Sequence, residues 1–161
     1  MKISWTSLKI SIAGAKLSHL VQKDKIWDHG SMAEQARITF YLVQKALING
    51  NIDMIEKYMT ISCFEKLQRE VKQSVGINKV LGIREPVIRE LAVIEALPAK
   101  NNKPDRFTAI INGNTKEKEV GTSERVDEFS SQWSFVRQGD WWLLDGMKTR
   151  INFFKNYKTI L

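Results

Sequence analysis

The aromatic segment at residues 129–147 places the strongest constraint on how this chain folds. Serine and glutamine residues alternate there with Phe129, Trp133 and Phe135, which is the period-two pattern of a strand with one buried face. The Gln-Gly-Asp sequence at residues 138–140 supplies a reversal, since glycine adopts the positive φ that a tight turn needs. Two further tryptophans open the second strand. A hairpin with so many large rings has to pack against a layer of helices or a ligand.

Three helices of unequal length are predicted ahead of the hairpin. The longest spans residues 31–49, where a Ser-x-x-Glu pattern starting at Ser31 predicts a capping box and Gly50 suits the residue after the helix end. Asn51 is expected to cap a short helix, and a second Ser-x-x-Glu pattern at Ser62 predicts the start of the third. The apolar residues repeated at helical spacing are Met32, Ala36, Phe40, Val43 and Leu47 in the longest helix and Phe64, Leu67, Val71 and Val75 in the third.

The second half of the chain is predicted to form strands. Pro86 blocks a helix at the start of this half, and β-branched residues cluster in residues 87–97. Residues 106–112 alternate in polarity, while the charged residues 114–124 are expected to form an exposed hairpin end. Helices followed by an antiparallel meander predict an α+β fold, in which N-terminal helices pack on a curved antiparallel sheet of about four strands. Such a half-open cone often has a cavity at its mouth.

The net charge of +7 is concentrated at the two ends of the chain. Residues 1–30 carry +3, residues 148–161 carry +4, and the acids and bases of residues 31–147 cancel. We therefore predict a basic N-terminal helical segment, a neutral α+β domain and a basic aromatic tail with these boundaries. Basic ends indicate an anionic partner such as lipid headgroups, RNA or an acidic protein surface. Alternatively, they keep a neutral domain soluble.

The N-terminal segment is predicted to be a helix with apolar side chains on two flanks. Lysines recur every seven residues, and serines lie about 200° away from them around the helix. Such a helix either lies on a membrane surface, with Trp5 at the headgroup boundary, or packs on its own domain with a solvated lysine edge. The apolar residues between the two lines are Trp5, Leu8, Ile12, Leu17 and Leu20. The side chains predicted to contact a membrane or another anionic partner are Trp5, Lys9, Lys16, Lys23, Lys148, Arg150, Lys155 and Lys158.

Several kinds of site are not expected from the composition. The histidines and cysteines of the chain are His19, His29 and Cys63, which leave no metal-ligand set, no Cys–His pair and no internal disulfide. We therefore expect no metal and no cofactor. The apolar runs at residues 3–8 and 10–15 are separated by a lysine and are far shorter than the ~20 residues that span a bilayer. Neither a transmembrane helix nor a signal peptide is expected.

An enzyme is not expected either. Acid–base chemistry in a cone needs a tuned carboxylate or a tyrosine–histidine pair that faces the cavity. The candidates are Tyr41, beside the apolar stripe of the longest helix, and Asp140 and Asp145, which flank a turn and a strand end. We assign no catalytic residue. Arg137 follows Phe135 by two residues, where an ion-paired or stacked structural role is favoured over ligand binding.

Two groups of residues follow the pattern of a known family. In the helical half they are Trp27, Phe40, Gln44-Lys45-Ala46, Asn51-Ile52-Asp53 and Tyr58-Met59-Thr60, and in the hairpin they are Glu128, Phe129, Trp133, Phe135, Arg137 and Trp142-Leu143-Leu144. Over residues 26–147 the chain thus resembles the Tim-forty-four-like domain family. It departs from the family pattern at Ser131 and Gln132, where acidic residues are usual.

The resemblance implies the cystatin-like cone shared with nuclear transport factor two. It also implies a non-enzymatic, membrane-peripheral adaptor or tethering domain in protein translocation or membrane-associated assembly. The implied partner is an anionic membrane surface or a membrane-bound protein complex, on the cytoplasmic or mitochondrial matrix side. Two alternatives stay open: a ribosome-associated protein that binds ribosomal RNA, and a carrier of a small apolar ligand or lipid chain. The cone of a carrier would be lined by Phe40, Tyr41, Trp133, Phe135 and Trp142.

Overall fold

The chain folds into helices followed by an antiparallel sheet. The computed structural model describes the backbone of residues 4–77, 81–117, 125–153 and 156–159 and the side chains of residues 4–77, 81–115 and 128–149. The helices are α1 (Trp5–Leu20), α2 (His29–Asn49) and α3 (Ile61–Gly76), with 3₁₀ helices at Lys25–Trp27 and Asp53–Tyr58. The strands are β1 (Pro86–Leu97), β2 (Arg106–Glu117), β3 (Arg125–Gln138), β4 (Trp141–Phe153) and β5 (Asn156–Thr159).

The sheet has the order β1-β2-β3-β4-β5, and each strand is antiparallel to the next. The predicted α+β fold with N-terminal helices is confirmed, with a short fifth strand beside the four long ones. β2 extends to Glu117, so residues 114–117, predicted as part of a hairpin end, belong to the ladder. The rest of that predicted hairpin end, residues 118–124, lies outside the described range.

The longest helix begins earlier than its sequence pattern predicts. The cap is Asp28, whose carboxylate accepts a hydrogen bond from the amide of Ser31 at 2.9 Å. The capping box predicted from Ser31 is therefore wrong, because an aspartate three residues upstream already satisfies that amide. Gly50 ends the helix at φ +74°, as predicted for a left-handed terminal residue. The predicted apolar stripe of α2 is buried along its whole length.

The start of α3 also differs from its prediction. Thr60 is the cap, and its hydroxyl accepts from the amide of Cys63 at 3.3 Å, so the capping box predicted at Ser62 is wrong. Burial of the predicted stripe falls along the helix: its first two residues are buried, Val71 is half-buried and Val75 is 71% exposed. Only the first part of α3 thus contributes to the core. Upstream, at the start of the predicted short helix, the side-chain oxygen of Asn51 accepts a hydrogen bond from the amide of Asp53 at 3.3 Å.

The core lies between α2 and the inner face of the sheet. The ring of Phe40 on α2 packs on two rings of β3, at centroid distances of 5.5 Å from Phe129 and 5.2 Å from Trp133. Phe107 on β2 stacks on Phe135 on β3, with 4.8 Å between their ring centroids. All five rings are buried, which confirms that the alternating aromatic residues of β3 share one inward face.

The segments flanking the predicted central domain are continuous with it. Trp27 is 3% exposed, and its ring centroid lies 5.2 Å from that of Trp142. The indole N–H of Trp142 donates to the carbonyl of Ile26 at 3.3 Å. The predicted boundary after residue 30 therefore lies between residues that share one core, and the boundary after residue 147 lies within β4.

Arg137 joins three connecting segments at one end of the sheet. Its guanidinium contacts the carboxylates of Asp24 at 2.6 Å and Asp105 at 3.0 Å, and its Nε donates to the carbonyl of Gly139 at 2.7 Å. These partners belong to the α1–α2 connection, the β1–β2 connection and the β3–β4 turn. The predicted structural, ion-paired role of this arginine is confirmed.

Candidate functional site

The rings predicted to line a cavity are brought together as packed core. Phe40, Trp133 and Phe135 have no exposed surface, and Trp142 is 1% exposed. Tyr41 is 39% exposed and meets Phe40 edge-on, with 5.7 Å between ring centroids. A ligand at this position would have to displace contacts between aromatic rings, each of which contributes about 0.5–1.5 kcal/mol beyond its buried area. This packing gives the carrier alternative no support.

α1 packs on the sheet through one of its two apolar flanks. Ala13 and Leu17 are each 3% exposed and belong to the hydrophobic core, and Leu20 packs half-buried against it. Within the sheet, α1 packs mainly against β1. The helix therefore adopts the second predicted arrangement, packing on its own domain, along this flank.

The other apolar flank of α1 is exposed and lies roughly 115° around the helix from the buried flank. We call Trp5, Leu8 and Ile12, with Lys9 and Lys16 beside them, the outer face of α1. Its three apolar side chains are 71%, 40% and 61% exposed, respectively. At 100° per residue they fall within a sector of about 60°, and the two lysines border that sector on one side. The ammonium group of Lys9 lies 5.9 Å from the ring centroid of Trp5, within range of a cation–π contact. An exposed apolar stripe edged by cations is one feature of helices that lie at lipid interfaces. Because apolar residues occupy both flanks of α1, the helix as a whole is only weakly amphipathic.

The remaining basic residues of the predicted contact set lie elsewhere. Lys23 is exposed in the turn after α1, and Lys148 is exposed on β4. The backbones of Arg150 and Lys158 belong to β4 and β5, but their side chains lie outside the described range, as does the whole of Lys155. Because β4 and β5 are at the opposite end of the strand order from β1, the two basic ends of the chain are attached to different edges of the sheet.

A groove of about 220 Å³ opens between the first half of α3 and β4. Its walls are more than 70 residues apart in sequence, so no local pattern predicted it, and only the placement of α3 beside β4 creates it. Three of its residues are apolar or weakly polar and form the base, while charged side chains stand at its opening. The base comprises Cys63, Leu67 and Met147, and the charged residues are Lys66, Arg69, Glu70 and Asp145.

Hydrogen bonds fix one end of this groove. The hydroxyl of Thr60 donates to the carboxylate of Asp145 at 2.9 Å, and the amide of the same threonine donates to the carbonyl of Leu144 at 2.9 Å. Burial, reinforced by the negative charge of Asp145, raises the pKa of the Cys63 thiol to about 11. The thiol therefore stays protonated near neutral pH, and the groove presents no thiolate nucleophile.

The described residues form neither a metal-binding cluster nor a membrane-spanning helix. Within them, no group of three or more histidine, cysteine, aspartate or glutamate side chains is arranged to hold a metal ion. No helix in the same part of the chain is long and apolar enough to cross a membrane.

No protein-family model matches the chain, and no curated protein matches it either. The resemblance to the Tim-forty-four-like family stays a prediction from its sequence motifs.

Proposed function

We propose that this protein is a membrane-peripheral adaptor or tethering domain that attaches to anionic lipid through the outer face of α1. The observation that carries the proposal is the exposure of Trp5 and Ile12 on a helix whose other apolar flank is held in the core. An anionic bilayer surface suits both components of this face. Its acyl–headgroup boundary accommodates the apolar stripe, and its phosphates attract Lys9 and Lys16.

The size of the exposed stripe is consistent with reversible attachment. From the exposed fractions of its three apolar side chains, transfer into the interface is worth about 3 kcal/mol. Each of the two lysines near an anionic surface adds about 1 kcal/mol. The total of about 5 kcal/mol is comparable with the binding of a single myristoyl chain, which is marginal and reversible. Such a domain would need a second contact, to lipid or to a protein, for stable residence on a membrane.

The rigidity of α1 also favours attachment. Ala13 and Leu17 fix the orientation of the helix before it meets a surface. An isolated amphipathic peptide has to fold as it binds and therefore loses conformational entropy, whereas α1 does not. The helix of 16 residues is about 24 Å long, so its whole outer face can meet a flat surface at once.

Vesicle flotation tests the proposal directly. We expect the full chain to float with vesicles of phosphatidylcholine and phosphatidylserine at low salt and to bind pure phosphatidylcholine less. The double variant Trp5→Ser/Ile12→Ser should lose about tenfold or more in partitioning, because it removes most of the apolar contribution. Replacing Lys9 and Lys16 by glutamine should instead weaken binding only to the anionic vesicles and reduce its salt dependence.

Ile61→Ser is the matched control. Ile61 is 80% exposed but lies at the start of α3, away from the outer face of α1. Its replacement removes an apolar area similar to that removed by the Ile12→Ser half of the double variant, and it should leave flotation unchanged. Equal flotation of the wild type and the Trp5→Ser/Ile12→Ser variant, with both proteins folded by circular dichroism, would rule the proposal out.

A further inference from the structure

The face of the sheet opposite the core, which we call the back face, is apolar at one end. Paired residues of successive strands form rows across this face, and the row at the apolar end consists of Leu97, Arg106, Val136 and Leu143. Trp141 lies on the same face two residues before Leu143 and is 41% exposed. None of these apolar side chains belongs to the hydrophobic core cluster or packs half-buried against it. They form a separate apolar patch, the back-face patch.

The other end of the back face is polar, and its side chains are hydrogen-bonded to one another. The side-chain amide of Asn112 donates to the carboxylate of Glu90 at 3.1 Å, and the side-chain oxygen of Asn112 accepts from the hydroxyl of Ser130 at 2.7 Å. Polar side chains of this kind are usual on a sheet face that meets water. The back-face patch breaks that pattern, and contiguous apolar surface of this kind marks an interaction site.

The middle of the back face is low and has room for side chains of a facing sheet. Next to the back-face patch, Thr108, Ser134 and Gly146 share a row, and a Cβ at Gly146 would meet no atom within 4 Å. Glu95 ends this row on β1, while Lys148 follows Gly146 on β4. Both charged side chains are exposed, and neither forms an ion pair with another side chain that the structure describes.

A second copy of this chain complements the back face. A twofold axis that runs parallel to the strands between β2 and β3 places β1 over β4 of the second copy and keeps each row facing its own counterpart. Leu97 then lies over Leu143 of the second copy, so the two apolar patches meet. The carboxylate of Glu95 lies over the open space at Gly146 of the second copy, beside that copy's Lys148. The same face thus supplies both the protruding and the receiving side chains, and both charges.

The area of the back face suits a reversible dimer. From the apolar end to Lys148 it measures about 23 Å along the strands and about 19 Å across the four long strands. Two facing copies would bury about 900 Å² as flat surfaces and more once protruding side chains are counted, which is close to the ~1,000 Å² at which specific interfaces begin. We therefore expect a Kd on the order of 10 µM rather than an obligate dimer.

We propose that the back face is the interface of a symmetric dimer of this chain, formed by face-to-face packing of two sheets. Sheets that pack in this way keep their strands within about 30° of each other, which agrees with an axis parallel to the strands. The inference does not depend on membrane attachment. Where both copies of α1 can meet one bilayer, the dimer would also supply the second contact that stable residence needs.

Sedimentation equilibrium of the full chain, from about 5 µM to about 0.5 mM, tests this proposal. We expect a monomer–dimer equilibrium, with Trp141→Ser weakening the dimer about tenfold or more because the interface loses two large rings. Trp5→Ser is the matched control, since it removes an exposed tryptophan from α1 and should leave the Kd unchanged. A wild type that stays monomeric throughout this range, or equal effects of the two substitutions, would overturn the proposal.

Charge exchange tests the orientation of the two copies. Glu95→Lys and Lys148→Glu should each weaken the dimer about fivefold, because each places like charges together across the interface. The double variant Glu95→Lys/Lys148→Glu should recover most of this loss, whereas Glu65→Lys, at an exposed position on α3, should have no effect on the Kd. Circular dichroism verifies that every variant is folded. A double variant that dimerises no more tightly than the single variants would refute the proposed arrangement.

Discussion

Removal of the Leu17 side chain tests whether α1 is part of the folded core. Leu17 is 3% exposed and packs with Ala13 in the same hydrophobic cluster as the rings of α2 and the sheet. Truncating a buried leucine to alanine costs about 2–5 kcal/mol, from lost transfer free energy and the cavity left behind. We expect about 3 kcal/mol for Leu17→Ala, because α1 lies at the edge of the core and can partly relax.

Ile12→Ala is the matched substitution on the other apolar flank of the same helix. Ile12 is 61% exposed, so little buried area is lost, and alanine has a higher helix propensity than isoleucine by a few tenths of a kcal/mol. The free energy of unfolding should therefore change by no more than about 0.5 kcal/mol. Both variants remove a branched side chain from α1. The difference between their free energies of unfolding therefore reports the burial of Leu17 and not a change in helix propensity.

Urea unfolding followed by circular dichroism measures both changes. For a chain of this length, 3 kcal/mol corresponds to a decrease in Tm of about 6–12 °C, so thermal unfolding provides a second readout. Nearly equal effects of the two substitutions, or a loss below about 1 kcal/mol for Leu17→Ala, would refute the assignment of α1 to the core. The same placement makes deletion of residues 1–30 a poor test of membrane attachment, because it would also remove Trp27 from the core.

Two further predictions concern the sheet and its ion pairs. Gly113→Ala should destabilise the protein by about 2 kcal/mol or more, because a Cβ there would lie 2.0 Å from the carbonyl oxygen of Val87; a loss below about 0.5 kcal/mol in urea would contradict this. The hydrogen bond from Arg137 lowers the pKa of Asp24, so the stabilisation from this carboxylate is present above its ordinary pKa of 3.8 and is lost as the pH falls through the lowered value. Asp24→Asn should therefore flatten the acid loss of stability below about pH 4 in thermal unfolding; identical pH profiles of Asp24→Asn and the wild type would exclude this linkage.

The strands and the long helix could be predicted from sequence because their side-chain periods are strong. Alternating rings at Phe129, Trp133 and Phe135 define an inward face, and one glycine turn sets the hairpin. The apolar residues of α2 recur just as regularly, every three or four positions, which is the spacing of one helix face. In both cases the period of burial follows from backbone geometry, so a single sequence contains the information needed.

The helix starts were predicted less well, because more than one residue can cap the same amides. A Ser-x-x-Glu pattern is present at Ser31 and at Ser62, yet Asp28 and Thr60 accept the hydrogen bonds instead. Any side-chain oxygen three residues before a first-turn amide can cap the helix by accepting its hydrogen bond. The local sequence does not decide which of the neighbouring residues acts as the cap. The exposure of Val75 has a similar origin, since helical spacing does not reveal how far a helix extends along its sheet.

The candidate surfaces depended on tertiary placement and were predicted only in part. Apolar side chains on both flanks of α1 were evident, but only packing distinguishes Leu17, which is buried, from Ile12, which is exposed. The α3–β4 groove was missed altogether. Its existence requires the pairing of Met59 with Leu144, a contact between residues 85 positions apart that no local pattern specifies.

The most direct test of membrane attachment is the depth of residue 12 on vesicles. A spin label would be placed at Ile12→Cys in a chain with Cys63 replaced by alanine, and its collision rates with oxygen and with a water-soluble nickel complex would be measured by electron paramagnetic resonance. With anionic vesicles, we expect the oxygen rate to rise and the nickel rate to fall, whereas a label at Met54→Cys, a similarly exposed position elsewhere, should show neither change. A label at residue 12 that stays as accessible to nickel with vesicles as without them would contradict the proposed attachment.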